Sequence, residues 1–175
     1  CPADYNQTKQ ATLAIANHIG PVYLRFGRPS WPVFIPNDMP FQIGKAQLMV
    51  KGSDVTIVAT GHLVWKALLA AEILSEKGIS ATVINMHTIK PLDEKAILDS
   101  VGKTKCVVTA EEHMLNGGLG DAVAQVLSRH MPLPQEYVGV NDTFGESGTP
   151  DELMVKYGLD TPNIVEAAKK VLKRK

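Results

Sequence analysis

The sequence predicts an α/β domain: a mainly parallel sheet of about five strands, with one antiparallel edge strand and helices on both faces. Three observations carry that expectation. Short apolar runs at residues 55–60, 81–86, 106–110 and 137–140 show little polar alternation, as strands covered on both faces do. Stretches of about a dozen residues with apolar positions three and four apart separate them, which is what parallel crossovers require. A further run, Ala46-Gln47-Leu48-Met49-Val50, does alternate, and so reads as a half-exposed edge.

The elements follow in order. Asp4 is placed to cap a helix that continues through Gln7, Leu13, Ile15, Ala16 and Ile19 and stops at Gly20-Pro21. Residues 23–26 are expected to form a strand. Four prolines between Pro29 and Pro40 make that segment a linker lying over a surface. Lys51-Gly52-Ser53-Asp54 is turn chemistry, expected to close a hairpin between 46–50 and 55–60. Gly61 opens a helix with Val64, Ala67, Leu68, Ala71 and Leu74 on one face, ended by Gly78. Asp93 starts another, carrying Ala96, Ile97 and Val101, and Gly117-Gly118-Leu119-Gly120-Asp121 opens the next. Thr149-Pro150-Asp151-Glu152 is a helix start, with proline in the first turn and glutamate at the capping-box position. A last helix runs from about Pro162 to Leu172 and ends in lysines and an arginine that complement its dipole.

Composition excludes several classes. The 175 residues suffice for one substantial core, or one core plus an attached fragment. Formal net charge is zero, which argues against nonspecific nucleic-acid binding. No apolar run approaches the roughly 20 residues of a membrane span, and nothing resembles a signal peptide. Cys1 and Cys106 fit a reducing cytoplasm, Cys106 as a small buried hydrophobe. The first residue is Cys rather than Met, so the chain is expected to start inside a larger protein.

Two groups could carry chemistry. Arg25 and Arg28 lie in Tyr23-Leu24-Arg25-Phe26-Gly27-Arg28-Pro29, where two planar guanidinium forks form a candidate anion-binding edge. The alternative is a pair of surface arginines with carboxylate neighbours. Glu111-Glu112-His113 follows a strand, and Gly117-Gly118-Leu119-Gly120 begins a helix. Glu111, His113, Gly117, Gly118 and Gly120 thus make a candidate anion site or proton relay at the carboxyl edge, or else a packing or interface element. The glycines do not match the dinucleotide fingerprint, and there is no P-loop, Cys-x-x-Cys or His-Glu-x-x-His. His18, His62, His87 and His130 are isolated and read as surface or capping residues. These residues give an α/β domain without a self-sufficient active site.

Taken together the motifs resemble transketolase: its C-terminal domain, preceded by the end of its pyrimidine-binding domain. Besides the stretches above, Phe41-Gln42-Ile43-Gly44-Lys45-Ala46, Thr88-Ile89-Lys90-Pro91-Leu92-Asp93 and Ser147-Gly148-Thr149-Pro150-Asp151-Glu152-Leu153 match in order. The resemblance implies three regions: 1–28 as the end of the pyrimidine-binding domain (helix plus strand), 29–43 as linker, and 44–175 as the C-terminal domain. It implies a cytoplasmic transferase of the pentose phosphate pathway that moves a two-carbon ketol unit between sugar phosphates. Thiamine diphosphate and a divalent cation (Mg) would serve the parent enzyme, with neither expected on this chain alone. The remaining transketolase domains or an N-terminal subunit would be partners, in a homodimeric parent. Arg25 matches the family's arginine that grips the substrate phosphate; Arg28 is its weaker neighbour. No catalytic residue carries over. The rivals are deoxyxylulose-phosphate synthase, the beta subunit of a 2-oxo-acid dehydrogenase, and a non-catalytic module binding a small anion at Gly117–Gly120.

Overall fold

Apolar, β-branched runs build the middle of the molecule. A computed structural model describes residues 1–175. Its strands are β1 (Gln47–Val50), β2 (Val55–Ala59), β3 (Ala81–Asn85), β4 (Val107–Met114) and β5 (Gln135–Val140). Its helices are α1 (Tyr5–Ala16), α2 (Leu63–Glu76), α3 (Glu94–Thr104), α4 (Leu119–His130), α5 (Pro150–Lys156) and α6 (Thr161–Leu172). The sheet order is β1-β3-β2-β4-β5, parallel throughout except that β1 runs antiparallel to β3.

Every residue of β2 and β3 is buried. The period of two sorts their side chains between layers. Val55, Ile57 and Ala59 pack with Leu74 of α2 and Ile164 of α6, whereas Val58 packs with Ile97 of α3 and Leu119 of α4. Each of the larger side chains among them contributes about 1.5–3 kcal/mol by leaving water. The helix starts use the expected chemistry. Asp93 Oδ1 accepts from the Ala96 N–H at 3.2 Å, and Glu152 Oε2 accepts from the Thr149 N–H and hydroxyl at 3.0 and 2.7 Å.

Three local expectations are corrected. Residues 23–26 form no strand, because no strand of this chain lies beside them; Tyr23 is 84% exposed. The turn at 51–54 does not close a hairpin. It crosses the start of β3, with the Ser53 and Asp54 N–H groups donating to the Ser80 carbonyl, so β3 lies between β1 and β2. Residues 111–113 belong to β4 itself, which continues past a register irregularity to pair Met114 with Val140.

Residues 1–43 hold one regular element, α1, which stops at Ala16, short of Ile19. Directional bonds fasten this arm to the domain. Asp4 Oδ1 caps α1 by accepting from the Gln7 N–H, and Oδ2 accepts from the Phe34 and Ile35 N–H groups at 2.8 and 2.7 Å. Buried Gln7 donates to Gln47 Oε1 at 2.7 Å, and Asn85 of β3 donates to both glutamines. Trp31 and Phe34 then lie on His62 and Trp65 at the start of α2. No helix is long and apolar enough to cross a membrane.

Candidate functional site at the carboxyl edge of the sheet

The chain leaves β2 for β3 on one side and returns to β4 on the other, so the crossovers part between the carboxyl ends of β2 and β4. Such switch points leave an open crevice. Here β2 is followed by Thr60-Gly61-His62, and β4 carries Glu111-Glu112-His113 near its end. His62 Nδ1 lies 3.3 Å from Glu112 Oε2. That bond, with Arg25 beside it, outweighs burial and holds the Glu112 carboxyl below the usual range.

Arg25 enters this crevice from the arm. Its Nη1 donates to the Glu112 carbonyl oxygen at 2.9 Å and its Nη2 to Cys1 Sγ at 3.4 Å. Other N–H groups of the fork remain for a ligand, since a guanidinium carries five. Arg28 is exposed and lines a neighbouring cavity of about 580 Å³ with Trp31, His62, Glu112, His113 and Tyr157. His113 Nδ1 meets its neighbour's carbonyl, Met114 O, at 2.9 Å.

The glycine turn has a different job. Glu111 is 1% exposed, and its carboxylate accepts from the Leu119 and Gly120 N–H groups at 2.6 and 2.7 Å. Asp121 Oδ2 accepts from the Gly117 N–H at 2.6 Å. The α4 N-terminus is therefore capped by the chain's own carboxylates. Burial is the larger influence on Glu111 and pushes its pKa up, against the two backbone bonds. Gly118 allows that approach: a Cβ there would sit 2.2 Å from Glu111 Oε2.

The structure thus separates residues that the sequence grouped. Arg25 lies with His62 and Glu112, and Arg28 and His113 line the neighbouring cavity that those two also border, whereas Glu111, Gly117, Gly118 and Gly120 form the cap of α4. His62, Glu112 and Trp31 were missed as a unit. The signal was there for His62, which directly follows an apolar strand and a glycine. His87 is no surface residue: it is 3% exposed, stacked on Phe41, and burial with the nearby Cys1 ammonium lowers its pKa to about 4.

Fold and crevice define a doubly wound α/β domain with a polar cluster at its switch point. The chain belongs to the transketolase C-terminal domain family: the family model "Transketolase, C-terminal domain" matches residues 44–164. The chain is 49% identical over 175 residues to the 6-deoxy-6-sulfo-D-fructose transketolase subunit SqwH of Clostridium sp. (strain MSTE9), covering 99% of this chain and 54% of that protein. It is 44% identical to a putative transketolase C-terminal section of Methanocaldococcus jannaschii, covering 99% and 55%. To 1-deoxy-D-xylulose-5-phosphate synthase 1 of Geobacter sulfurreducens it is 37% identical, covering 99% of this chain and 28% of that one. A solved split-gene transketolase, described as an inactive beta4 tetramer, superposes with a TM-score of 0.95 at 46% identity, over 98% of this chain and 56% of that one. The chain spans about half the length of the transketolase relatives it matches.

Proposed function

We propose that this chain is part of the C-terminal section of a split transketolase, a transferase that moves a two-carbon ketol unit between sugar phosphates. The position of Arg25 carries the reading. An arginine whose fork is fixed on a backbone carbonyl at a sheet's carboxyl edge is suited to grip a phosphate bidentately. Arg28, exposed at the neighbouring cavity, adds positive charge nearby. The transketolase relatives support this over a synthase, with higher identity over a larger share of their length. An anion-binding module at Gly117–Gly120 is short of donors, since Glu111 and Asp121 take the N–H groups of Gly117, Leu119 and Gly120 and leave only that of Gly118.

Thiamine diphosphate supplies the carbanion chemistry of such a parent. This chain's residues do not fit that cofactor: no cluster of three His, Cys, Asp or Glu side chains converges to hold its metal, and the α4 N-terminus is capped. Cofactor and cation are assigned to the rest of the parent, taken as a homodimer of a split enzyme. Residues 1–28 are assigned to the end of its pyrimidine-binding domain, 29–43 to a linker and 44–175 to the C-terminal domain. The apolar side chains that the arm leaves in water, Ile19 at 99% exposure and Tyr23 at 84%, support that boundary.

The test is kcat/KM of the reconstituted parent holoenzyme, wild type against Arg25→Ala, with phosphorylated and unphosphorylated acceptor aldoses. Losing bonds to a charged group costs about 1.5–3 kcal/mol, a ten- to hundredfold loss expected for the phosphorylated acceptor alone. An equal loss on both acceptors, or none, overturns the reading.

A further inference from the structure

The turn that carries Arg25 meets the domain at His62, beside Arg25's own bond to the Glu112 carbonyl and the packing of Trp31 on the core. His62 stands at the start of α2 but makes no capping bond to its helix. It meets three other groups. Its ring stacks on Trp31 with centroids 4.4 Å apart and planes 11° apart. Its Nδ1 faces Glu112 Oε2 at 3.3 Å. Gly27 lies so close that a Cβ there would sit 2.0 Å from His62 Cε1. Gly27 and Trp31 belong to the turn bearing Arg25, and Glu112 is the residue whose carbonyl holds the guanidinium. The imidazole therefore touches the turn at two points and the arginine's anchor at a third.

We propose that His62 is a positioning residue for Arg25: it pins the 25–31 turn and Glu112 to the carboxyl edge of β2, so that the guanidinium is presented in one place. This rests on the reading of Arg25 as a phosphate anchor. The need is physical, because residues 17–46 contain no helix or strand. A long side chain on an irregular arm stays within the roughly 0.5 Å a binding site requires only if neighbours lock it. The wide aromatic contact fixes the turn's height, and the Glu112 pair fixes the ring's rotation.

The test uses the reconstituted parent holoenzyme and compares KM and kcat for phosphorylated and unphosphorylated acceptors. His62→Ala is expected to raise KM for the phosphorylated acceptor about five- to tenfold, leaving kcat within about twofold and the other acceptor unchanged. Gly27→Ala should act in the same direction, since its new methyl group forces the turn off the imidazole. The double variant should be no worse than His62→Ala alone, because that methyl then enters the vacated space. Should His62→Ala fail to assemble, Glu112→Gln keeps the carbonyl that holds Arg25 while weakening the pair with His62; a milder change with the same acceptor preference is expected. Equal effects on both acceptors, or none, while Arg25→Ala still discriminates, would overturn the role of His62 and leave the anchor standing. An equal loss on both acceptors, or none, in Arg25→Ala itself overturns both.

Discussion

The sheet domain and the arm that precedes it are held by different forces. In the domain, side chains of β2 and β3 interdigitate with two helix layers, and stability scales with apolar area removed from water. Along the arm, Asp4 and Gln7 join Gln47 of β1 and Asn85 of β3 in a buried polar network, while Tyr5, Leu13, Ile19, Val22 and Tyr23 remain exposed. The domain buries most of its apolar side chains in its own two layers, although Phe144 and Val155 stay exposed. The arm is held on its inner side by directional bonds together with Ala3, Trp31, Phe34 and Ile35, and its outer side is exposed apolar surface.

That contrast can be broken at several points. The largest effect is expected in the domain: Ile57→Ala should cost about 2–5 kcal/mol in denaturant unfolding, whatever happens to the arm. A smaller loss with an unchanged m-value would mean that the sheet core is not the main store of stability.

The seam between the regions is tested by pH. Burial lowers His87 to about 4, so the fold holds it neutral beside Phe41. Between 6.5 and about 4 the unfolded chain binds more protons. The contribution is therefore complete above pH 6.5 and is lost as pH falls toward 4, at most about 3 kcal/mol. Glu111 acts in the opposite sense: its carboxyl is raised in the fold, so its contribution declines as pH climbs above 4.5. The difference in unfolding free energy between wild type and His87→Gln isolates the histidine. A difference independent of pH would remove it from the seam.

Asp4→Ala is expected to cost about 2 kcal/mol, since it removes a helix cap and leaves the Phe34 and Ile35 N–H groups without their acceptor. Hydrogen exchange should quicken in residues 5–16 and 34–35 while β2 and β3 keep their protection. Uniform acceleration would show that arm and domain unfold as one unit. The smallest effect sharpens the other half of the contrast. Ile19→Ser should shift the stability of this chain by less than about 0.5 kcal/mol. In the parent assembly the same substitution should weaken association, read by sedimentation; no change there would leave the arm's outer face without a partner.

Most of the fold was legible because it rests on local pattern. The runs at 55–60, 81–86 and 106–110 announce strands, and Asp93 and Thr149 announce helix starts, through chemistry within four residues. The hairpin at 51–54 misled for a definite reason. Turn residues state that the chain reverses, not which strand will fill the space beside it, and β3 filled it. The candidate site was half legible. Arg25 was singled out by its motif. His62 looked isolated because its partners, Gly27, Trp31 and Glu112, are 31 to 50 positions away and were each read for something else.

By itself the sequence determined the α/β alternation, the burial of the central strands and the family to which the chain belongs, because periodicity, capping and motif order are properties of neighbouring residues. The tertiary structure alone decided that Glu111 would serve the α4 N-terminus rather than the crevice, and that a histidine after β2 would receive the arm. Those outcomes depend on distances of a few ångströms between segments far apart in the chain, set by how two helix layers settle on a twisted sheet.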